Sequence, residues 1–193
     1  MEELQQLKES LLKERPVPWN EFPDIALYMD QVISYMERQL IKFDDGGQLT
    51  SAMVNNYIKD KLLPRADGKK YNREHLAGLT EICLLKQVLS VRDTGLLMSQ
   101  ENYSEEPEGF YTKLRGILDE ALKNTAECIN LDWSAEELSD MALRLAITGY
   151  CEKLACERLL DIIRIKLKPE EQDKPEKKIE KKADKKAGKK AER

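Results

Sequence analysis

From Ser134 to Leu167 the chain carries a helical apolar pattern that no proline interrupts. Leu138, Met141, Leu145, Thr148, Cys151, Ala155, Leu159, Ile162 and Ile163 recur mostly at three- and four-residue spacings. Ser134 with Glu137 three residues later forms a capping box to start the helix, and Pro169 stops it. The predicted element is more than twice the average length of a globular helix, which is about 10–14 residues. Gly149 is the one place inside it where a bend is cheap. So long a helix reads equally as an antiparallel dimer arm or as a helix packed against the 107–130 helix, and the predicted class is all-α. Composition agrees: aromatic residues are 6%, and nine glycines and seven prolines are too few for the many turns of a sandwich or barrel.

Helical spacing recurs upstream. Glu2 to Glu14 places Leu4, Leu7 and Leu11 on one face. The segment "RPVPWNEFPD" holds three prolines and stays extended. Asp24 then caps a predicted helix from Ile25 to Phe43, ended by "DDGGQ". Thr50 or Ser51 caps a short helix to about Leu62, followed by Pro64 and an Asp-Gly turn. Asn72 caps a helix through about Leu89, and Ser90 with Asp93 opens a short one. Pro107 begins the helix that carries Phe110, Leu114, Ile117, Leu118, Leu122 and Ile129. The predicted parts are a helical segment 1–45, a compact unit 46–100, a helical region 107–167 and a tail 168–193. That tail pairs lysines every four residues and cannot bury a core, so it is expected to be disordered or a lone, marginal charged helix.

Charge is unevenly placed. The tail holds 11 basic and 7 acidic residues, and the preceding 167 residues hold 21 basic and 29 acidic. Within that acidic body lies a basic island, "TSAMVNNYIKDKLLPRADGKKY", with Lys59, Lys61, Arg65, Lys69 and Lys70 against Asp60 and Asp67. As a helix, Ser51 to Leu62 turns Val54, Tyr57 or Ile58, and Leu62 inward. Ser51, Asn55 and Lys59 then share another face, flanked by Ala52 and Asn56. Carboxamides suit base edges, while serine, lysine and a helix N-terminus suit phosphate. The plainer reading is a solvated helix and loop, and the acidic body repels DNA at long range.

The stretch "LTSAMVNNYIKDKLLPRADGKKYNREHLAGLTEICLLKQVLSVRDTGLL" resembles the winged helix-turn-helix of the MerR family of transcriptional regulators. Thr50, Val54, Asn55, Tyr57, Leu62, Leu63, Pro64, Tyr71, Asn72 and Leu76 carry the likeness. The resemblance implies a central winged helix-turn-helix with a recognition helix at 51–61 and a wing at 64–71. Lys69 and Lys70 would lie in the wing, with Tyr57 and Tyr71 near the phosphate backbone. The family binds DNA as dimers, which implies a homodimer through the long C-terminal helices. Asn55 stands where that family has arginine, and Lys61 where it has a helix-ending glycine. Over most of residues 15–165, "LYMDQVISYMERQL", "LTSAMVNNYIKDKLLP" and "KKYNREHLAGLTEICLLKQVLS" resemble a bacterial family known only as domain of unknown function 1836. That likeness implies a helical fold and no established activity.

The remaining residues favour binding over catalysis. His75 is the sole histidine and has no nucleophile paired with it in the sequence. It reads as a surface or half-buried structural residue. Cys83, Cys128, Cys151 and Cys156 sit in apolar helical patterns without a Cys-x-x-Cys pair. They read as reduced core residues, and no metal or cofactor is expected. Trp19 and Trp133 read as core packing. No apolar run spans a bilayer and no signal-peptide h-region is present, so the expected location is cytoplasmic. The leading expectation is a DNA-binding transcriptional regulator with Ser51, Asn55, Asn56 and Lys59 in the groove. Tyr57, Lys69, Lys70 and Tyr71 would contact phosphate. The alternative is a protein–protein interaction module on the same fold, without sequence-specific DNA binding. Target site and effector are left open.

Overall fold

The computed structural model describes residues 2–39 and 49–167. The Leu40–Phe43 end of the predicted second helix and the lysine-rich tail lie outside them. Among the described residues the fold is mostly α: seven helices and one two-stranded antiparallel ribbon.

Helix α1, Glu2–Lys13, lays Leu4, Leu7 and Leu11 against a small cluster with Leu122, Ala126, Ile129 and Trp133. The prolines after it keep the chain extended, and side chains fasten that strap to the later helix α6, Pro107–Glu127. Arg15 pairs with Asp119 at 2.7 Å, the Tyr111 hydroxyl donates to the Val17 carbonyl at 2.6 Å, and Arg115 donates to the Pro16 carbonyl at 2.9 Å. Trp19 and Phe22 stack against Tyr111, with ring centroids 6.1 and 5.1 Å away.

The predicted helix from Ile25 begins later than its sequence suggests. Leu27–Tyr28 form strand β1, and helix α2 spans only Met29–Met36. Asp24 caps nothing here, because its carboxylate is taken by Arg73. The strand wins over a helical start because an antiparallel partner is present in β2, Lys70–Tyr71. Leu27 lies opposite Tyr71, and Tyr28 opposite Lys70.

The caps read from sequence hold at the other helices. Thr50 accepts from the Met53 amide at the start of α3, Ser51–Lys59. Asn72 accepts from the His75 amide at the start of α4, Arg73–Leu85. Ser90 accepts from the Asp93 amide at the start of α5, Val91–Gln100. Before α7, Ala135–Leu167, the Ser134 amide donates to the Glu137 carboxylate at 2.7 Å and the Glu137 amide to the Ser134 hydroxyl at 3.3 Å. Helix α4 ends four residues short of Leu89, where the Gln87 and Val88 amides close tighter turns onto Leu84 and Leu85.

One apolar core joins residues from Phe22 to Tyr111 around α4. Leu76, Ala77, Leu79, Thr80, Glu81 and Ile82 are all fully buried. A helix covered on every side is normally apolar on every side; Thr80 satisfies its hydroxyl on the Leu76 carbonyl at 2.9 Å, and Glu81 is the charged exception. Neither of its carboxyl oxygens has a hydrogen-bond partner among the described residues. Burial therefore pushes its pKa up from the ordinary 4.5 to about 8. Helix α7 is the opposite case. Leu160 is its one buried residue, and an Arg164–Asp93 ion pair ties its end to α5. The cysteines are also less enclosed than their apolar neighbours in sequence imply. Cys83 and Cys156 are half-buried, and Cys128 and Cys151 are exposed, because Cys128 caps the end of α6 and Cys151 lies on the bare part of α7. None of the described helices is long and apolar enough to cross a membrane.

Glu81 links stability to pH. Between 4.5 and about 8 the folded chain keeps a proton that the unfolded chain releases. The stability contributed by the neutral carboxyl is full below 4.5 and is lost as pH rises through about 8. Glu81→Gln removes this linkage and keeps the side chain's shape. Urea melts across pH should show little difference between the two proteins at pH 4.5 and a gain for the variant on the order of 3 kcal/mol at pH 8. A gain that does not grow with pH would place the ionisation elsewhere.

Candidate functional site

Helix α3 is short, and its sequence divides it cleanly. Val54 and Tyr57 face the core, while Ser51, Ala52, Asn55, Asn56 and Lys59 are exposed. The four residues predicted to enter a groove therefore share one outward surface. The two tyrosines predicted near phosphate do not join them. Tyr57 and Tyr71 are each only 4% exposed and belong to the core, where burial raises both phenol pKa values. The residue-level pattern already allowed Tyr57 an inward place, three residues after Val54, and that reading is the one realised.

The helix stops at Lys59, two residues before the predicted end, and the way it stops shapes the site. Asp60 is the C-cap and Lys61 adopts φ +62°. The Lys61 amide donates to Ile58 at 3.1 Å and the Leu62 amide to Tyr57 at 2.9 Å. This is a Schellman ending, a geometry that glycine normally supplies. Here a lysine supplies it, held by Leu62 and Tyr57, which are both in the core. Lysine in the left-handed region costs about 1–2 kcal/mol relative to the ordinary helical region.

The segment predicted as a wing folds as a two-residue hairpin. Asp67 and Lys70 exchange backbone bonds of 3.0 and 2.8 Å, and the two residues between them, Gly68 and Lys69, have φ +52° and +71°. Positive φ at both positions is the type I′ turn that matches strand twist. It projects Lys69 and Lys70 into solvent. The Lys70 ammonium lies 5.4 Å from the Tyr28 ring centroid, across the β1–β2 ribbon. Among the described residues Lys59, Lys61, Arg65, Lys69 and Lys70 form no ion pair. All five are exposed.

Sequence reasoning missed what holds the 64–71 loop to α4. His75 is buried, not superficial. Its Nδ1 accepts from the Asn72 amide at 3.2 Å and its Nε2 faces the Arg65 carbonyl at 3.3 Å. A neutral imidazole protonated on Nε2 suits these two contacts, whereas the Asn72 Oδ1, 2.5 Å from Nδ1, calls for a proton on that nitrogen instead. Burial lowers its pKa and favours that neutral form. The signal was present as a histidine at the third position after an Asn cap, where a capping box usually has Glu or Gln.

Compared with known proteins, residues 17–114 match a family model described as "Domain of unknown function (DUF1836)". No curated protein and no solved structure matches the chain.

The Schellman ending yields a direct test. Lys61→Gly removes the left-handed strain and leaves the two capping bonds in place. Thermal and urea melts should show the variant more stable by about 1 kcal/mol. A variant no more stable than the parent would mean that the lysine side chain offsets the strain by contacts of its own.

Proposed function

The chain belongs to the DUF1836 family, and we propose that it is a cytoplasmic DNA-binding regulator, not an enzyme, built on a winged helix-turn-helix of the MerR kind. The observation that carries this reading is the division of α3. Its apolar side locks into the core, and Ser51, Asn55, Asn56 and Lys59 stand together on the outside. A projecting wing carries Lys69 and Lys70 nearby in sequence. In this reading α3 enters the major groove. Asn55 and Asn56 pair with base edges, Ser51 and the helix N-terminus take a phosphate, and Lys59, Lys69 and Lys70 hold the flanking backbone. Tyr57 and Tyr71 support these elements from the core instead of touching phosphate.

The partner in this reading is a second copy of the chain, joined through α7. A helix of 33 residues is about 50 Å long. Leu143, Ile147, Tyr150 and Leu154 are exposed at four-, three- and four-residue intervals. That spacing reads the same from either end, so an antiparallel pair would bring Ile147 against Tyr150 and Leu143 against Leu154 of the other copy. The same exposed stripe favours a second reading, in which the fold is a protein-interaction module that does not read DNA sequence.

Fluorescence anisotropy separates the two. The full chain and a chain ending at Leu167 would be titrated with duplex from upstream of the gene and with scrambled duplex, from low to near-physiological salt. Both chains should prefer one duplex. The triple charge reversal Lys59→Glu, Lys69→Glu and Lys70→Glu should weaken binding on the order of 100-fold at low salt. Binding that the reversal leaves unchanged would sink the DNA reading, and binding lost with the tail would assign the affinity to the lysines alone. For the dimer, light scattering of Ile147→Asp and Tyr150→Asp should show monomers. Both positions are exposed in the single chain, so the helix itself should fold. Variants that remain dimeric would move the interface off this stripe.

A further inference from the structure

The end of α3 and the α5–α6 connection enclose a cleft of about 660 Å³, within the usual size range of small-molecule sites. Ile58, Leu63 and Tyr103 give it an apolar surface, and Lys59, Lys61 and Arg65 line it as cations. Glu74 is the single acidic residue on the lining. None of the three cations has an ion-pair partner among the described residues. Tyr103 is only 7% exposed, and its hydroxyl finds no hydrogen-bond partner among those residues.

The backbone adds a second, independent observation. Lys61 occupies the left-handed C′ position of α3, where glycine would cost least. Local strain of this kind gathers at functional sites, where the side chain serves a purpose that outweighs its conformational cost. Here the strained residue is one of the three cations on the cleft. We propose that this cleft is a binding site for a small organic carboxylate with a flat apolar body. The carboxylate would lie among Lys59, Lys61 and Arg65, with the apolar body against Ile58, Leu63 and Tyr103. A hydrogen-bond donor on the ligand would suit Glu74. Asn55 also lines the cleft, and it shares the outward face of α3 with Lys59. A bound carboxylate therefore competes with duplex for both residues. That competition rests on the DNA-binding reading, whereas binding of the carboxylate does not.

The test is calorimetry on the full chain with 2-naphthoate, and with the uncharged 2-naphthamide and inorganic phosphate as separate arms. Naphthoate should bind saturably at one site per chain, and the amide and phosphate should each bind at least about tenfold more weakly. Phosphate matching naphthoate would make this a backbone-phosphate contact and overturn the carboxylate assignment. Lys61→Gly and Arg65→Ala should each weaken naphthoate by about fivefold or more. Lys61→Gly is the sharper of the two, because it should melt higher while binding less, which a misfolded variant cannot do. Naphthoate binding that is absent, or that both variants leave unchanged, overturns the site; unchanged binding would place the probe on the bare faces of α7. Anisotropy of the duplex complex with and without naphthoate then reads the competition. If no duplex binds at all, the DNA reading fails while calorimetry still decides the cleft.

Discussion

Helix α4 is the element to which the rest of the molecule is fastened. Seven consecutive residues, Leu76 to Ile82, are buried, so the helix is wrapped, not merely packed along one stripe. Each large apolar side chain among them contributes roughly 1.5–3 kcal/mol by leaving water. Its N-terminus holds the 64–71 hairpin loop through Asn72 and His75, one side receives α2, and another receives α6 with the proline strap bound across it. Gly78 is part of this arrangement. The Tyr103 hydroxyl lies where a Cβ at that position would stand, so any side chain there would displace the ring. The helix is thus the common support of the hairpin loop and of the α5–α6 connection, which border the cleft together with the end of α3.

How much of this was legible depends on whether the cause is local. Caps are local, and Thr50, Asn72, Ser90, Ser134 and Pro107 all mark helix starts as their chemistry dictates. The segment 25–28 was not legible, because its strand exists only through a partner more than forty residues away. Apolar spacing alone cannot distinguish such a strand from the first turn of a helix. Glu81 was equally hidden. A carboxylate between apolar residues of a helix normally marks the wet side, and here α4 has no wet side at that level. The cysteines failed for the converse reason: apolar neighbours in sequence imply burial only where another element arrives to cover them.

The candidate site shows the same division. The sequence displayed which α3 residues face outward, because a helix with two inward anchors fixes the rest by geometry. It did not settle Tyr57 and Tyr71. The resemblance placed both near phosphate, while spacing left Tyr57 free to pack inward. Burial decided for packing, since a phenol offers far more apolar area to a small core than to solvent. What remains outside is smaller and more polar: two carboxamides, a serine and lysines. In the proposed DNA-binding reading, such a surface would gain specificity from hydrogen bonds and affinity from charge.

Lys61 connects the fold to the proposed chemistry. Its left-handed conformation is imposed by Leu62 and Tyr57, which must both reach the core immediately after the helix ends. The chain could satisfy that demand with glycine at lower cost, and Lys69 in the hairpin raises the same point at a second turn. In both places the position that backbone geometry reserves for glycine carries a cation exposed to solvent. A single strained lysine has no necessary meaning. Two, in the one basic island of an otherwise acidic body, place positive charge at the tips of sharp turns, where it projects farthest from the surface. That arrangement lowers stability and concentrates the positive field, and a surface selected only for solvation has no need of either.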